Sequence, residues 1–207
     1  MPMKINELPP PCNNLTESCF QADANSSRKW YAVRTTYGRE LKAYTYIVEH
    51  GGVAYCPMRW TEKVIKGKKK RMLVSRLPNI FFVYGTEEEV CTFVYDNGNL
   101  PFLRFYYTQS RATGELVRTP LVVPFDQMQS LHILCEADAD DVIIVPPTYH
   151  RFETGQLVRV TEGSFAGVVG RVSRYRGQQR VAIIINDFMT IATAYVPMAF
   201  LEPIHNS

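Results

Sequence analysis

From Val158 to Ile185 the chain reads VRVTEGSFAGVVGRVSRYRGQQRVAIII, and this run restricts the fold more than any other. β-Branched residues alternate with polar ones, the period-2 pattern of strands with one buried face. Gly163, Gly167 and Gly170 interrupt the pattern. Glycine permits a sharp bend, or a backbone approach that a Cβ would block. Arg176-Gly177-Gln178-Gln179 supplies a turn. The run therefore predicts short strands closing a very small barrel, with Val158, Val160, Val168, Val172, Val181, Ile183 and Ile185 inward. A segment from Tyr149 to Ile204 is short for an independent core, and closure removes both sheet edges.

Upstream, the periodicity changes. Residues 1–28 are rich in Pro, Asn and Ser and read as a flexible leader. Trp30–Thr35 reads as a strand, and Leu41, Tyr44 and Val48 have helical spacing that Gly51-Gly52 can end. Val53–Pro57 returns as a strand, and Trp60–Val74 as a hairpin tipped by KGKKKR. Ile80–Tyr84 is a strongly apolar strand. Thr86 and Glu89 have capping-box spacing ahead of a helix whose inner face holds Val90, Phe93 and Val94. Leu103–Tyr107 is a further strand, and Pro124-Phe125-Asp126 opens a helix with Met128, Leu131 and Cys135 on one face. This order predicts an α+β chain: an α/β sandwich with a mixed or antiparallel sheet over 29–135, then a small β-barrel over 149–204. The acidic and proline-bearing stretch 136–148 reads as a linker, with apolar Val142–Val145 able to dock on a domain.

The 207 residues suffice for one medium and one small domain, and a formal net charge of +3 carries little information by itself. Cys12, Cys19, Cys56, Cys91 and Cys135 are odd in number and scattered, which describes neither a disulfide framework nor zinc spacing. No signal-peptide core or membrane-length apolar run is present, so the expectation is a cytoplasmic protein with no membrane partner. His50, His132, His150 and His205 have no motif around them, and no catalytic, metal or cofactor residues are assigned. Gly163, Gly167 and Gly170 have no long helix after them, so barrel turns fit better than a dinucleotide loop.

Three segments, in order, resemble the NusG group of transcription elongation factors. WYAVRTTYGRE is similar to the opening strand and helix of the family's N-terminal domain. LPNIFFVYG is similar to its aromatic strand, and FETGQLVRVTEGSFAGVVGRV to the KOW motif of its SH3-like barrel. Within that motif the resemblance picks out Val158, Val160, Gly163, Phe165, Gly167, Gly170 and Val172. The chain most resembles the specialised UpxY-type antiterminator paralogs of capsular polysaccharide operons in Bacteroides. Leu77 and Ile80 depart from the usual Phe and Tyr, and Asn79 stands where the housekeeping factor has glycine.

The resemblance implies that the chain promotes antitermination or pause suppression without being an enzyme. It implies RNA polymerase clamp helices as a partner for Leu77, Pro78, Ile80, Phe82 and Tyr84, with Phe82 as anchor if that sheet face is open. It also implies a ribosomal protein or termination factor as a partner of the KOW domain. Lys63, Lys66, Lys68, Lys69, Lys70 and Arg71 are read as contacts to the backbone of non-template DNA or nascent RNA, or else as a solvated hairpin tip. Arg34, Arg39 and Lys42 are read the same way. Two other readings stay open: a ribosome-associated or general RNA-binding KOW protein, and a small enzyme with an SH3-like accessory domain.

Overall fold

Lys29–Arg34 forms β1, the strand from which the first part of the molecule is built. Its alternation sends Tyr31 and Val33 to one face and Trp30 and Ala32 to the other, and all four are buried. In the computed structural model the chain is an α+β protein that divides into two units, residues 1–122 and 123–207. The structure describes residues 15–20, 26–65, 67–95, 97–112, 115–137, 142–145, 154–175, 177–185 and 189–204.

Helix α1 (Glu40–Glu49) ends as its glycines require. Gly51 takes a positive φ of 78°. The Gly52 N–H donates to the Ile47 carbonyl at 2.8 Å and the Gly51 N–H to that of Val48 at 3.1 Å, the paired bonds of a Schellman ending. β2 (Val53–Tyr55) follows, then the hairpin of β3 (Met58–Ile65) and β4 (Lys68–Ser75). β5 (Ile80–Gly85) pairs antiparallel with both β1 and β2. Thr86 and Glu89 form the expected capping box on α2 (Glu87–Val94), which satisfies two free backbone N–H groups. Tyr31, Val33, Phe81 and Val83 pack with Ala43, Ile47, Val90 and Val94, so α1 and α2 cover one sheet face.

The expected strand Leu103–Tyr107 is broken at Tyr106. β6 (Arg104–Phe105) pairs antiparallel with β1, whereas β7 (Tyr107–Ala112) leaves it to pair with β8 (Glu115–Pro120). This second hairpin has no apolar alternation to announce it. β9 (Val122–Val123) returns to β1, giving a sheet in the order β2-β5-β1-β6 with β9 also on β1. The registers place Ile80, Arg34 and Arg104 at one end of the sheet. The β3–β4 hairpin departs from that end and β7–β8 from the other.

The leader is not wholly loose. Glu17–Phe20 forms a 3-10 turn. Phe20 stacks on Trp30 at 5.9 Å between ring centroids, and the Trp30 indole N–H donates to the Cys19 carbonyl at 2.6 Å. One ring stack and one hydrogen bond tie this turn to β1.

In the second unit, α3 (Phe125–Glu136) packs on β12 (Val169–Tyr175) and β13 (Gln178–Ile185). The sequence reading puts this helix with residues 29–135, whereas the units divide at Val122/Val123. Ser130 explains part of the attachment, because its hydroxyl accepts the Val169 N–H at 3.0 Å. β10 (Ile143–Val145), inside the expected linker, is an edge strand on β14 (Met189–Ala192). With β11 (Thr154–Val160) and β15 (Leu201–Pro203) the order is β10-β14-β13-β12-β11-β15. Val158, Val160, Val168, Val181, Ile183 and Ile185 are buried, but Val172 is only half-buried. Ala182 is buried as well, since α3 covers the second face of β13.

Candidate nucleic-acid and polymerase interface

The β3–β4 hairpin is a two-stranded sheet of its own, and its register sorts its charges. Residues directly opposite share a face, and faces alternate along each strand. Trp60 faces Leu73, Glu62 faces Arg71 and Val64 faces Lys69 on one side. Arg59 faces Val74, Thr61 faces Met72, Lys63 faces Lys70 and Ile65 faces Lys68 on the other.

The first side is internally matched. The Arg71 guanidinium lies over the Trp60 ring at 4.9 Å, and Lys69 Nζ is 3.8 Å from Glu62 Oε2. The second side carries Arg59, Lys63, Lys68 and Lys70, all exposed, and no acidic residue. Lys63 and Lys70 are directly opposed, an arrangement that disfavours pairing. Lys68 and Lys70 among the expected contacts thus belong to the cationic face, whereas Lys69 and Arg71 turn toward partners on the hairpin. Lys63, read with the same basic stretch, belongs with the cationic face too, and so does Arg59, of which spacing within one strand gives no sign. Lys66 lies outside the described residues.

A second positive region stands at the hairpin's end of the sheet. Arg34 is exposed at the end of β1, directly opposite Arg104 of β6, another like-charged pair. Arg39 precedes α1 and is exposed. The turn around it is tied to the β4–β5 connection. The Thr35 N–H donates to the Asn79 carbonyl at 3.0 Å. The Gly38 N–H donates to Asn79 Oδ1 at 3.4 Å, and the buried Glu40 carboxylate accepts the Asn79 N–H. Asn79 has φ 65°, a conformation asparagine tolerates better than most residues. That is why it can stand in the place of a glycine.

The expected polymerase face is largely closed. Leu77 is 1% and Phe82 0% exposed, so the expected anchor is inaccessible in this conformation. β5 is flanked by two strands, with Phe82 between Ala32 and Tyr55 and its ring 6.5 Å from that of Tyr55. On the same face, the Tyr84 ring lies tilted against that of Trp30 at 5.3 Å, and the leader turn packs on Trp30. Pro78 is exposed, and Ile80 and Tyr84 are half-buried.

The KOW-like residues fall together at the β11–β12 connection. Val158 and Val160 are buried in β11, Gly163 and Gly167 have positive φ in the turn, and Phe165 is buried beneath it. The Gly167 N–H closes the turn onto the Val160 carbonyl at 2.8 Å. Gly170 cannot be larger: a Cβ there would lie 2.6 Å from the Ala182 carbonyl oxygen. Val172 follows in β12.

Among the described residues the histidines do not assemble into a reaction centre. His50 stacks on Tyr46, its Nδ1 2.7 Å from the Tyr46 carbonyl, at the end of α1. Burial pushes the pKa of His132 down. His150 and His205 lie outside the described residues. Among the described residues no three metal-binding side chains cluster, Cys19, Cys56, Cys91 and Cys135 are unbridged, and no helix is long and apolar enough to cross a membrane. Cys12 lies outside them.

Residues 28–113 match the family model NusG, described as transcription termination factor nusG. The match begins just before β1 and ends in the β7–β8 hairpin, so it contains the β3–β4 hairpin, the Tyr37–Asn79 corner and β5. It supports a NusG-like factor, a family of transcription regulators that act on elongation and termination and bind RNA polymerase. No curated protein matches the chain.

Proposed function

We propose that this chain is a specialised, non-enzymatic elongation factor that binds RNA polymerase and suppresses pausing or termination on a polysaccharide biosynthesis operon. The family match over residues 28–113 is the observation that carries the reading. The operon class rests on the likeness of WYAVRTTYGRE, LPNIFFVYG and FETGQLVRVTEGSFAGVVGRV to the UpxY-type paralogs. Pro78, Ile80 and Tyr84 are the accessible part of the polymerase contact, and Leu77 and Phe82 support them from beneath. The cationic hairpin face, with Arg34 and Arg39, meets the backbone of non-template DNA or nascent RNA. The KOW-like turn in the second unit recruits a ribosomal protein or termination factor. Joining two such modules raises the effective concentration of each at the elongation complex.

The test is retention of the full chain on core RNA polymerase, followed by transcription of templates carrying pause and termination sites. The expected result is stoichiometric retention and increased read-through. A chain that binds RNA alone and ignores polymerase would replace this reading with that of a general RNA-binding KOW protein.

A further inference from the structure

Tyr37 is 88% exposed, more than any other large hydrophobic side chain among the described residues. Its backbone is also unusual. Tyr37 has φ 61° and Gly38 φ 64°, both in the left-handed region. Glycine, asparagine or aspartate enters that region at lower cost than a bulky residue. The turn therefore gains nothing from tyrosine, and packing gains little, because the ring is open to solvent apart from Arg39. Folding gives no reason for this residue at this place.

The surroundings give a reason. Three hydrogen bonds from or to Asn79 hold the turn against the β4–β5 connection, so the ring stands on a fixed base. The Arg39 guanidinium lies 5.8 Å from the Tyr37 ring centroid and 4.9 Å from that of Phe102. Lys42 Nζ lies 5.6 Å from the same Phe102 ring. Arg39 thus lies near both the exposed Tyr37 ring and the buried Phe102 ring, and Lys42 near Phe102. The carboxylate closest in sequence, Glu40, is buried beneath the turn and engaged by the Asn79 N–H. An exposed ring beside a cation suits a ligand that is flat, aromatic and tied to negative charge.

We propose that Tyr37 stacks on an unpaired base of a single-stranded nucleic acid, with Arg39 and Lys42 holding the adjoining phosphates. The proposal rests on the reading that the exposed cations of this unit meet nucleic acid, and it adds a site that contacts bases. Base faces are open to a side chain only where the strand is unstacked, so a single strand is preferred to a duplex. DNA and RNA share this chemistry.

The experiment measures binding of the full chain to fluorescein-labelled 12-mers by anisotropy across a salt series. The probes are oligothymidine, oligouridine, a DNA duplex and an oligothymidine with abasic central positions. Tyr37→Ala is expected to weaken binding to both single strands by roughly 5- to 100-fold, the scale of one lost base stack. Tyr37→Phe is expected to bind as the parent does. The salt dependence of Tyr37→Ala should keep its slope, because no phosphate contact is lost, whereas Arg39→Ala should make it shallower. The abasic probe should cost the parent chain the same factor and leave Tyr37→Ala unaffected. Tyr37→Asn, which suits the turn, guards against misfolding: it should melt at or above the parent temperature and still lose binding. Undiminished binding by Tyr37→Asn overturns the proposal, as does equal binding to the duplex. Loss of polymerase retention with unchanged oligonucleotide binding would make the ring a protein contact instead. Salt-dependent binding that persists in Tyr37→Ala without change spares the backbone reading and removes only the base site. A parent chain that binds no probe at low salt removes both.

Discussion

Strand β5 and the β3–β4 hairpin are neighbours in sequence and follow opposite rules. At the centre of β5 every local choice agrees with burial: Phe81, Phe82 and Val83 are hydrophobic, β-favouring and enclosed. In the hairpin, local choices conflict with the fold. Lys63 opposes Lys70, and Trp60 and Val64 are exposed. A segment whose residues all serve the core is explained by folding. A segment that contradicts those rules needs another explanation, and a ligand is the usual one. Apolarity drew attention to β5 as a docking surface, but the exposed conflict lies in the hairpin.

The comparison breaks most visibly at Phe82. Phe82→Ala would leave a cavity between Ala32 and Tyr55, and such truncations cost about 3–5 kcal/mol. Against a total of roughly 5–15 kcal/mol for a domain, residues 1–122 should melt far earlier in thermal unfolding. Polymerase retention should fall along with the fold. A variant that unfolds normally yet loses polymerase would restore Phe82 as a direct anchor and dissolve the contrast.

What the sequence revealed was local. The Thr86–Glu89 capping box and the Gly51-Gly52 ending depend on spacings of a few residues, and both are present. Alternation in β5 also showed that Phe81 and Phe82 point to opposite faces. It could not show that both faces are covered, because the covering elements are distant in sequence. The leader turn on Trp30 is one of them. The charge sorting of the hairpin was illegible for a related reason. Each strand's alternation is visible, but which faces coincide depends on register, and a one-residue slip would exchange them. The β7–β8 hairpin lacks an apolar period, so its strands resemble loop. Nothing in the spacing of Tyr37 sets it apart from other aromatics; its φ and its exposure do.

A smaller effect sharpens the buried side of the comparison, where β5 runs into α2. The Glu89 carboxylate accepts the Thr86 N–H at 2.9 Å and pairs with Arg28 at 2.6 Å. The Thr86 backbone bond, more than Arg28, lowers its pKa. A lowered folded pKa means stabilisation that is full above the unfolded value of about 4.3 and is lost as pH falls through the folded value. Thr86→Ala should cost about 1 kcal/mol. Glu89→Gln should cost only a few tenths, since the pair is half exposed to solvent. Urea unfolding from pH 7 to pH 2 should show the Glu89→Gln deficit vanish in acid. A deficit that does not change with pH would mean that packing, not charge, is lost.

The smallest stability effect is expected at Lys63 and Lys70, and its sign is the informative part. Removing two opposed like charges should leave stability unchanged or raise it by a few tenths of a kcal/mol, and added salt should erase the gain. The same Lys63→Gln, Lys70→Gln variant should bind nucleic acid less tightly. Its log–log salt slope should fall by about 1.4 on single strands or 1.8 on duplex, one counterion per lost contact. Lys69→Gln with Arg71→Gln is the matched control. It removes the same charge, but from the face where Glu62 and Trp60 already engage it. The control should lose a little stability and change the salt slope less. Equal slopes for the two double variants would show that the hairpin binds by total charge, and that its register has no part in recognition. A steeper loss from the cationic face, together with undiminished folding, is what a binding surface should give and a buried residue such as Phe82 cannot.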